Sequence, residues 1–143
     1  MWSAAESFFA RLGEFGTHIA LAEGERTLTY AEMLGAVAAR GRHLRALGAH
    51  RVALALDNGI DWVLWDLAVL HAGLVCVPVP GFFSADQQRH VLDSAGIDCL
   101  IGNGAPGFIP VENDIHRRTV AQPPKLHAGT CKITYTSGTT GHP

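Results

Sequence analysis

Three segments of the chain combine apolar residues at helical spacing with a polar capping pattern at their first residue. Each begins with Ser or Thr, which is followed three residues later by Glu or Gln. The two side chains of such a pair can satisfy each other's backbone N–H groups, and a glycine ends each segment. We predict helices in the three segments, which run from Ser3 to Gly13, from Thr29 to Gly48 and from Ser84 to Gly96.

Short, continuous apolar runs alternate with these helical segments. Residues 52–56, 74–79 and 97–101 are apolar at nearly every position, which is typical of strands buried on both faces. Residues 60–72, between the first two runs, are long enough and apolar enough for a buried helix. The alternation predicts an α/β fold class, a mostly parallel sheet covered by helices.

The remaining segments predict smaller elements. Residues 18–22 and 26–29 flank a Glu-Gly-Glu turn and predict a β-hairpin. Residues 102–124 are rich in proline and glycine, and we expect an irregular connection with one short strand at 108–111. A last strand is predicted at 131–135. Ligands bind at the carboxyl ends of parallel strands, so the residues after this strand are in position to bind one.

Composition and charge describe one ordinary globular domain. The 143 residues are 48% hydrophobic and 17% charged, and the formal net charge is −2. This balance gives no reason to expect a nucleic-acid partner or an anionic membrane surface. We find no membrane span and no secretory signal. The three cysteines lack C-x-x-C spacing, which favours a reducing compartment, and we expect a cytoplasmic protein.

A segment of Thr, Ser and Gly alone follows the last predicted strand. Its glycines let backbone N–H groups converge on one anion, and its hydroxyls add small donors, a combination that suits an oligophosphate. It is not a G-x-x-x-x-G-K-[ST] loop, and a cation to neutralise the phosphates is missing. A turn that binds nothing remains the alternative. The candidate ATP-binding residues are Thr136, Ser137, Gly138, Thr139, Thr140 and Gly141.

Residues 135–143, YTSGTTGHP, resemble the phosphate-binding signature of the adenylate-forming superfamily. That signature reads Y-T-S-G-T-T-G-x-P-K-G, and nine consecutive positions agree, with His142 at the free one. The superfamily contains acyl-CoA synthetases, firefly luciferase and the adenylation domains of peptide synthetases. Three upstream segments resemble its further motifs in the same order: LTYAEM at 28–33, RVALALDN at 51–58 and HAGLVCVP at 71–78.

The resemblance implies a two-step ligase that uses ATP and Mg²⁺. In the family, a carboxylic acid is activated as an acyl-adenylate, and a thiol of coenzyme A or of an acyl carrier protein then takes the acyl group. The loop contacts the β- and γ-phosphates. The family's lysine would follow Pro143, so we expect residues 1–143 to be the N-terminal part of the AMP-binding (adenylation) domain, truncated in this loop. No catalytic residue and no metal ligand is then assigned within them, and the isolated chain is expected to be inactive.

Several alternatives stay open or are excluded. Residues 78–84 read PVPGFFS where peptide-synthetase adenylation domains usually have V-P-I-D-P, which favours a stand-alone acyl-activating enzyme over a peptide synthetase. Within the superfamily, the resemblance then implies an acyl-CoA synthetase of fatty acid metabolism. A non-catalytic scaffold that self-associates is the other alternative. A dinucleotide site at Gly102-x-Gly-x-x-Gly107 is excluded, because Pro106 and Pro110 forbid the helix it needs. We interpret Asp57 and Asp61 as helix caps rather than as an acid–base pair.

Overall fold

The structure is a computed structural model that describes residues 1–136. It forms two compact units, one of residues 1–47 and 58–73 and the other of residues 48–57 and those from 74 onward. None of the described helices is both long and apolar enough to cross a membrane. The described elements, in chain order, are α1 (Ala4–Gly13), β1 (Ile19–Glu23), β2 (Arg26–Thr29), α2 (Tyr30–Ala46), β3 (Arg51–Ala55), α3 (Ile60–His71), β4 (Val75–Pro78), α4 (Ala85–Ser94), β5 (Cys99–Gly102), β6 (Ile109–Glu112) and β7 (Ile115–Arg117).

The three predicted capping boxes are present at α1, α2 and α4. In α2, the Thr29 hydroxyl accepts a hydrogen bond from the Glu32 N–H at 3.1 Å, and the Glu32 carboxylate accepts one from the Thr29 N–H at 3.0 Å. Hydrogen bonding to Thr29 lowers the pKa of Glu32 below its ordinary value of 4.5. The Thr29 backbone contributes most to this effect and the Thr29 side chain contributes less. Local polar pairing therefore sets the first residue of these helices.

The first residue of α3 is set by a different contact. Its N-cap is Gly59, and the Glu23 carboxylate at the end of β1 accepts a hydrogen bond from the Ile60 N–H at 3.1 Å. The prediction that Asp57 caps this helix is wrong, because the capping carboxylate comes from the hairpin. Asp61 lies in the first turn and forms ion pairs instead, with Arg26 and Arg40, both at 3.4 Å. The hairpin thus holds the beginning of the apolar helix.

Replacing Glu23 by Ala is expected to lower the free energy of unfolding by about 1 kcal/mol, because the Ile60 N–H loses its partner. Urea denaturation measures the difference. Glu25→Ala is the matched control, since Glu25 is an exposed residue of the same turn. An equal loss in both variants would contradict the capping role of Glu23.

The second unit contains a five-stranded sheet in the order β4-β3-β5-β7-β6. Strand β3 is parallel to β4 and to β5, whereas β7 is antiparallel to both β5 and β6. The α/β fold class is confirmed, and the sheet is a mixed one. Helix α4 packs on one face through an apolar cluster. This cluster comprises Ala53, Val77, Val79, Val91, Leu92, Ala95, Ile97, Leu100 and Phe108.

The β6–β7 hairpin differs from the sequence-based expectation. The predicted short strand is present as β6, but β7 was expected to be irregular. Asp114 turns the chain with a φ of 60°, and the buried Ile115 pairs with Ile101 of β5. The pairing joins residues about 14 positions apart in sequence, which a local pattern of proline and glycine does not reveal.

Arg118 fastens the end of α4 to the segment that follows the hairpin. Its guanidinium donates to the Leu92 carbonyl and, through Nε, to the Ile97 carbonyl, both at 2.7 Å. It also pairs with Asp93 at 3.0 Å and stacks 4.5 Å from the centroid of the Phe108 ring. A cation that donates to the last carbonyls of a helix stabilises that end. The C-terminal turn of α4 is therefore held in place.

Candidate functional site

The three parallel strands end at a shared polar cavity of about 270 Å³. Asp57 follows β3, Pro80 and Gly81 follow β4, and Asn103 follows β5. Because these strands are parallel, their carboxyl ends meet at one edge of the sheet, where ligands of such folds bind. The residues that line the cavity are Ala55, Leu56, Asp57, Val79, Pro80, Gly81, Phe83, Gln88, Asn103 and Gly104.

The charge of this cavity disfavours a phosphate group. Among the described residues that line it, Asp57 alone carries a formal charge, and the amides of Gln88 and Asn103 supply neutral donors and acceptors. Two like charges 4 Å apart repel by about 1 to 4 kcal/mol in water or near a protein surface. The cavity therefore suits a neutral, hydrogen-bonding group, and a polyphosphate requires donors elsewhere.

The chain reaches the candidate phosphate loop along the free edge of β4. The Cys76 N–H donates to the Cys131 carbonyl, and the Ile133 N–H donates to the Cys76 carbonyl, both at 2.9 Å. These bonds form a parallel bridge between Cys76 and Lys132. The strand predicted at 131–135 is thus reduced to a single bridge. Its direction is nevertheless that of β4, so the chain runs towards the carboxyl edge of the sheet.

Only the first of the predicted loop residues falls within the described part of the chain. Thr136 is exposed and directly follows Tyr135, which packs against the cluster beneath α4. The structure brings Thr136 to the end of the segment that pairs with β4. Outside the described residues lie Ser137, Gly138, Thr139, Thr140 and Gly141.

Two features of residues 1–136 bear on possible chemistry: the state of the Cys99 thiol on β5 and the grouping of side chains that bind metals. Burial raises the pKa of Cys99 to about 12, so its thiol stays protonated and is a poor nucleophile. Within residues 1–136, no group of three or more His, Cys, Asp or Glu side chains is close enough to hold a metal ion.

The glycine-rich segment after β5 does not form a dinucleotide site. Residues 103–107 turn and lead directly into β6, as the prolines predicted. No helix N-terminus opens at these glycines, so the geometry that binds a pyrophosphate is absent there. Asn103 and Gly104 line the cavity at the sheet edge instead.

The sequence contains a pattern that indicates the cavity at the sheet edge. A small or polar pair lies close after each of two buried strands: Asp57-Asn58 begins two residues after the end of β3, and Asn103-Gly104 directly follows β5. In a parallel sheet this pattern marks the ligand edge. Gln88, in contrast, reaches the cavity from α4, and only the tertiary structure shows it.

Comparison with known proteins gives concordant matches. A family model described as AMP-binding enzyme matches residues 8–143. The chain is 30% identical over 146 residues to phosphinothricin tripeptide synthetase PhsC of Streptomyces viridochromogenes, and the match covers 88% of the chain and 13% of the synthetase. It is 29% identical over 160 residues to a 4-hydroxybenzoate–CoA/benzoate–CoA ligase of Rhodopseudomonas palustris, covering 90% of the chain and 29% of the ligase.

Solved structures share the fold of the chain. The N-terminal subdomain of Klebsiella oxytoca NpsA, in complex with 3-hydroxyanthranilyl-AMSN, superposes with a TM-score of 0.77 at 24% identity. The superposition covers 100% of the chain and 39% of that subdomain. The chain therefore spans well under half the length of each of these relatives.

Proposed function

The chain belongs to the AMP-binding enzyme family, and from this membership we propose that it is part of an ATP-dependent ligase that activates a carboxylic acid as an acyl-adenylate. Residues 1–143 are then the N-terminal part of the adenylation domain, and the segment from Thr136 to Gly141 binds the outer phosphates of ATP. The observation that carries this proposal is the nine-residue match at 135–143, placed after a segment that runs parallel to β4.

The proposed reaction proceeds in two substitutions. A carboxylate oxygen of the substrate forms a bond to the α-phosphorus of ATP, the bond from that phosphorus to the bridging oxygen breaks, and pyrophosphate leaves. A thiolate then attacks the acyl carbon of the adenylate, and AMP leaves with its electron pair on phosphate oxygen. Membership of the family implies that Mg²⁺ accompanies ATP, and Mg²⁺ in such sites is held largely by the phosphates of the substrate. The loop's contribution is to orient the phosphates and to donate hydrogen bonds to them.

The cavity at the sheet edge and the sequence of the loop segment differ in charge and in hydrogen-bond donors. The cavity bears the Asp57 carboxylate, and none of its described lining residues is basic, so it is unsuited to the triphosphate. The loop segment bears no charged residue from Thr136 to Gly141 and is rich in donors. This difference in charge and donors supports the assignment of the phosphates to the loop. The cavity is then available to bind an uncharged part of a substrate.

For the acceptor thiol we propose coenzyme A. The relatives include both a peptide synthetase and a CoA ligase at nearly equal identity, so they favour neither acceptor. The sequence PVPGFFS at 78–84 departs from the peptide-synthetase motif, and this supports a stand-alone acyl-CoA synthetase. A carrier-protein pantetheine is the competing acceptor, and a cytoplasmic location stays a prediction from the cysteine pattern.

The complete gene product is expected to catalyse carboxylate-dependent exchange of ATP with pyrophosphate. Exchange isolates the first substitution from the thiol step, and a panel of fatty, aryl and amino acids identifies the substrate class. Addition of coenzyme A or of a phosphopantetheinylated carrier protein to the best carboxylate then identifies the acceptor by mass spectrometry of the thioester. Absence of exchange with every acid, together with no affinity for Mg·ATP by calorimetry, would contradict the proposal.

The 143-residue chain is the control in the same assay, and it is expected to give no exchange. It spans 13% and 29% of the two curated relatives, and no catalytic residue is assigned within it. Size-exclusion chromatography of this chain tests the scaffold alternative. A stable dimer, combined with a complete gene product that has no nucleotide affinity, would favour a self-associating scaffold over a ligase.

A further inference from the structure

Tyr135 joins the candidate loop to helix α4. It directly precedes Thr136, and its hydroxyl lies 2.7 Å from the Ser94 hydroxyl at the end of that helix. Its ring meets the His90 ring edge to face, with centroids 6.2 Å apart and an interplanar angle of 89°. The side chain also packs against the apolar cluster beneath α4. Tyr135 therefore contacts two residues one helical turn apart as well as the cluster.

A second anchor lies two residues earlier in the chain. The Ile133 N–H donates to the Cys76 carbonyl at 2.9 Å, which fixes the backbone to the edge of β4. One anchor is thus a backbone bond to a strand, and the other is a side-chain contact with a helix. Two anchors on different elements, two residues apart, define both the position and the direction in which the chain enters Thr136.

The helix that receives Tyr135 is itself held in place. Val91 and Leu92 of α4 are buried in the cluster, and Arg118 donates to the Leu92 carbonyl and pairs with Asp93. Ser94 directly follows these residues. Its hydroxyl therefore offers Tyr135 a fixed partner, although both residues of the pair remain accessible to solvent.

From these contacts we propose that Tyr135 is a positioning residue for ATP, which orients the phosphate loop through its hydrogen bond to Ser94. The inference rests on the proposed function. Converging several donors on one polyanion requires the loop backbone to lose conformational freedom, and glycines such as Gly138 and Gly141 lose the most. Fixing the first residue of the segment before ATP arrives reduces that loss and raises affinity.

The test compares Tyr135→Phe, Ser94→Ala and the double variant in the complete gene product, using the carboxylate that supports exchange. Each single variant removes the same hydrogen bond, so each is expected to raise the KM for ATP about 2- to 10-fold. The double variant is expected to show no larger effect than either alone, since only one interaction is lost. The KM for the carboxylate and the kcat are expected to stay unchanged.

Tyr30→Phe is the matched control, because it is the same chemical change on α2, in the other compact unit. It is expected to leave the KM for ATP unaltered. A purely structural role for Tyr135 would lower kcat and change both KM values together, and that result would overturn the proposal. If Tyr135→Phe does not fold, Ser94→Ala reports on the same bond.

The failure of this inference is distinguishable from that of the proposed function. If wild-type protein exchanges ATP with pyrophosphate and the KM for ATP is the same in Tyr135→Phe and Ser94→Ala, the positioning role is wrong and the ligase assignment stands. If wild-type protein neither exchanges nor binds Mg·ATP, the ligase assignment is wrong and the positioning role falls with it. Additive effects of the two substitutions would also overturn the role assigned to their shared hydrogen bond.

Discussion

Gly102→Ala is expected to lower the free energy of unfolding by about 2 to 6 kcal/mol, the largest loss we expect from a single methyl group. Gly102 ends β5 with a φ of +125°, a conformation that L side chains rarely adopt, and forcing one into it costs about 1 to 3 kcal/mol. An added Cβ would also lie 2.2 Å from the Ala55 carbonyl oxygen of β3. Such overpacking against backbone costs about 1 to 3 kcal/mol more.

Substitutions at two other glycines serve as comparisons for the two costs at Gly102, the strain of its positive φ and the overlap of an added Cβ with Ala55. The free energy of unfolding of each variant is measured by urea denaturation. Gly73 has a φ of +74° but no atom within 4 Å of an added Cβ, so Gly73→Ala reports the backbone cost alone, about 1 to 2 kcal/mol. Gly35 lies within α2 in open space, and Gly35→Ala is expected to stabilise by about 0.5 to 1 kcal/mol. A loss in Gly102→Ala no greater than that in Gly73→Ala would contradict the close approach of β5 to β3.

The elements that the sequence predicted well are those fixed by local interactions. The capping boxes at Ser3, Thr29 and Ser84 each involve residues three positions apart, and all three helices begin where those pairs indicate. The capping of α3 was mispredicted because Glu23, which performs it, is 37 positions from Ile60. The local pattern offered only the nearby carboxylates of Asp57 and Asp61.

In the sheet, too, the strands with a local sequence pattern were predicted, and the strand that depends on distant pairing partners was not. Buried strands β3, β4 and β5 were recognisable as continuous apolar runs, since both faces of each strand are covered. Strand β7 was not recognisable from the sequence, because Ile115–Arg117 is short and contains two polar residues. Its strand character depends on pairing with β5 on one side and β6 on the other.

The donor groups of the candidate site could be predicted from the sequence, whereas the contacts that surround and anchor it could not. The donors of the loop from Thr136 to Gly141 follow from residue types alone, and the family signature adds the ligand. The anchoring of the loop required the structure, because Tyr135 and Ser94 lie 41 positions apart. The polar cavity likewise combines residues that follow three different strands, which become neighbours only in the folded sheet.

The second large effect is expected at the loop itself. Thr140→Val is expected to lower kcat/KM for ATP about 10- to 150-fold, because a hydrogen bond to a charged phosphate contributes about 1.5 to 3 kcal/mol. Valine has nearly the same shape as threonine, so the change removes a donor with little change in volume. Thr140→Ser, which restores the hydroxyl, is expected to recover most of the activity. The measurement is ATP–pyrophosphate exchange by the complete gene product at varied ATP concentrations.

Thr134→Val distinguishes a phosphate donor from a general effect of removing a hydroxyl near the loop. Thr134 is exposed and precedes Tyr135, outside the signature that the chain shares with the family, so its substitution is expected to change kcat/KM for ATP less than about 2-fold. The loss in Thr140→Val is also expected to exceed that in Tyr135→Phe, because a direct contact with a phosphate is stronger than a neutral bond that only positions the loop. Equal activity in Thr140→Val and Thr134→Val would contradict the assignment of this loop to the phosphates. The Thr140 hydroxyl would then contribute no more to the use of ATP than a hydroxyl outside the signature.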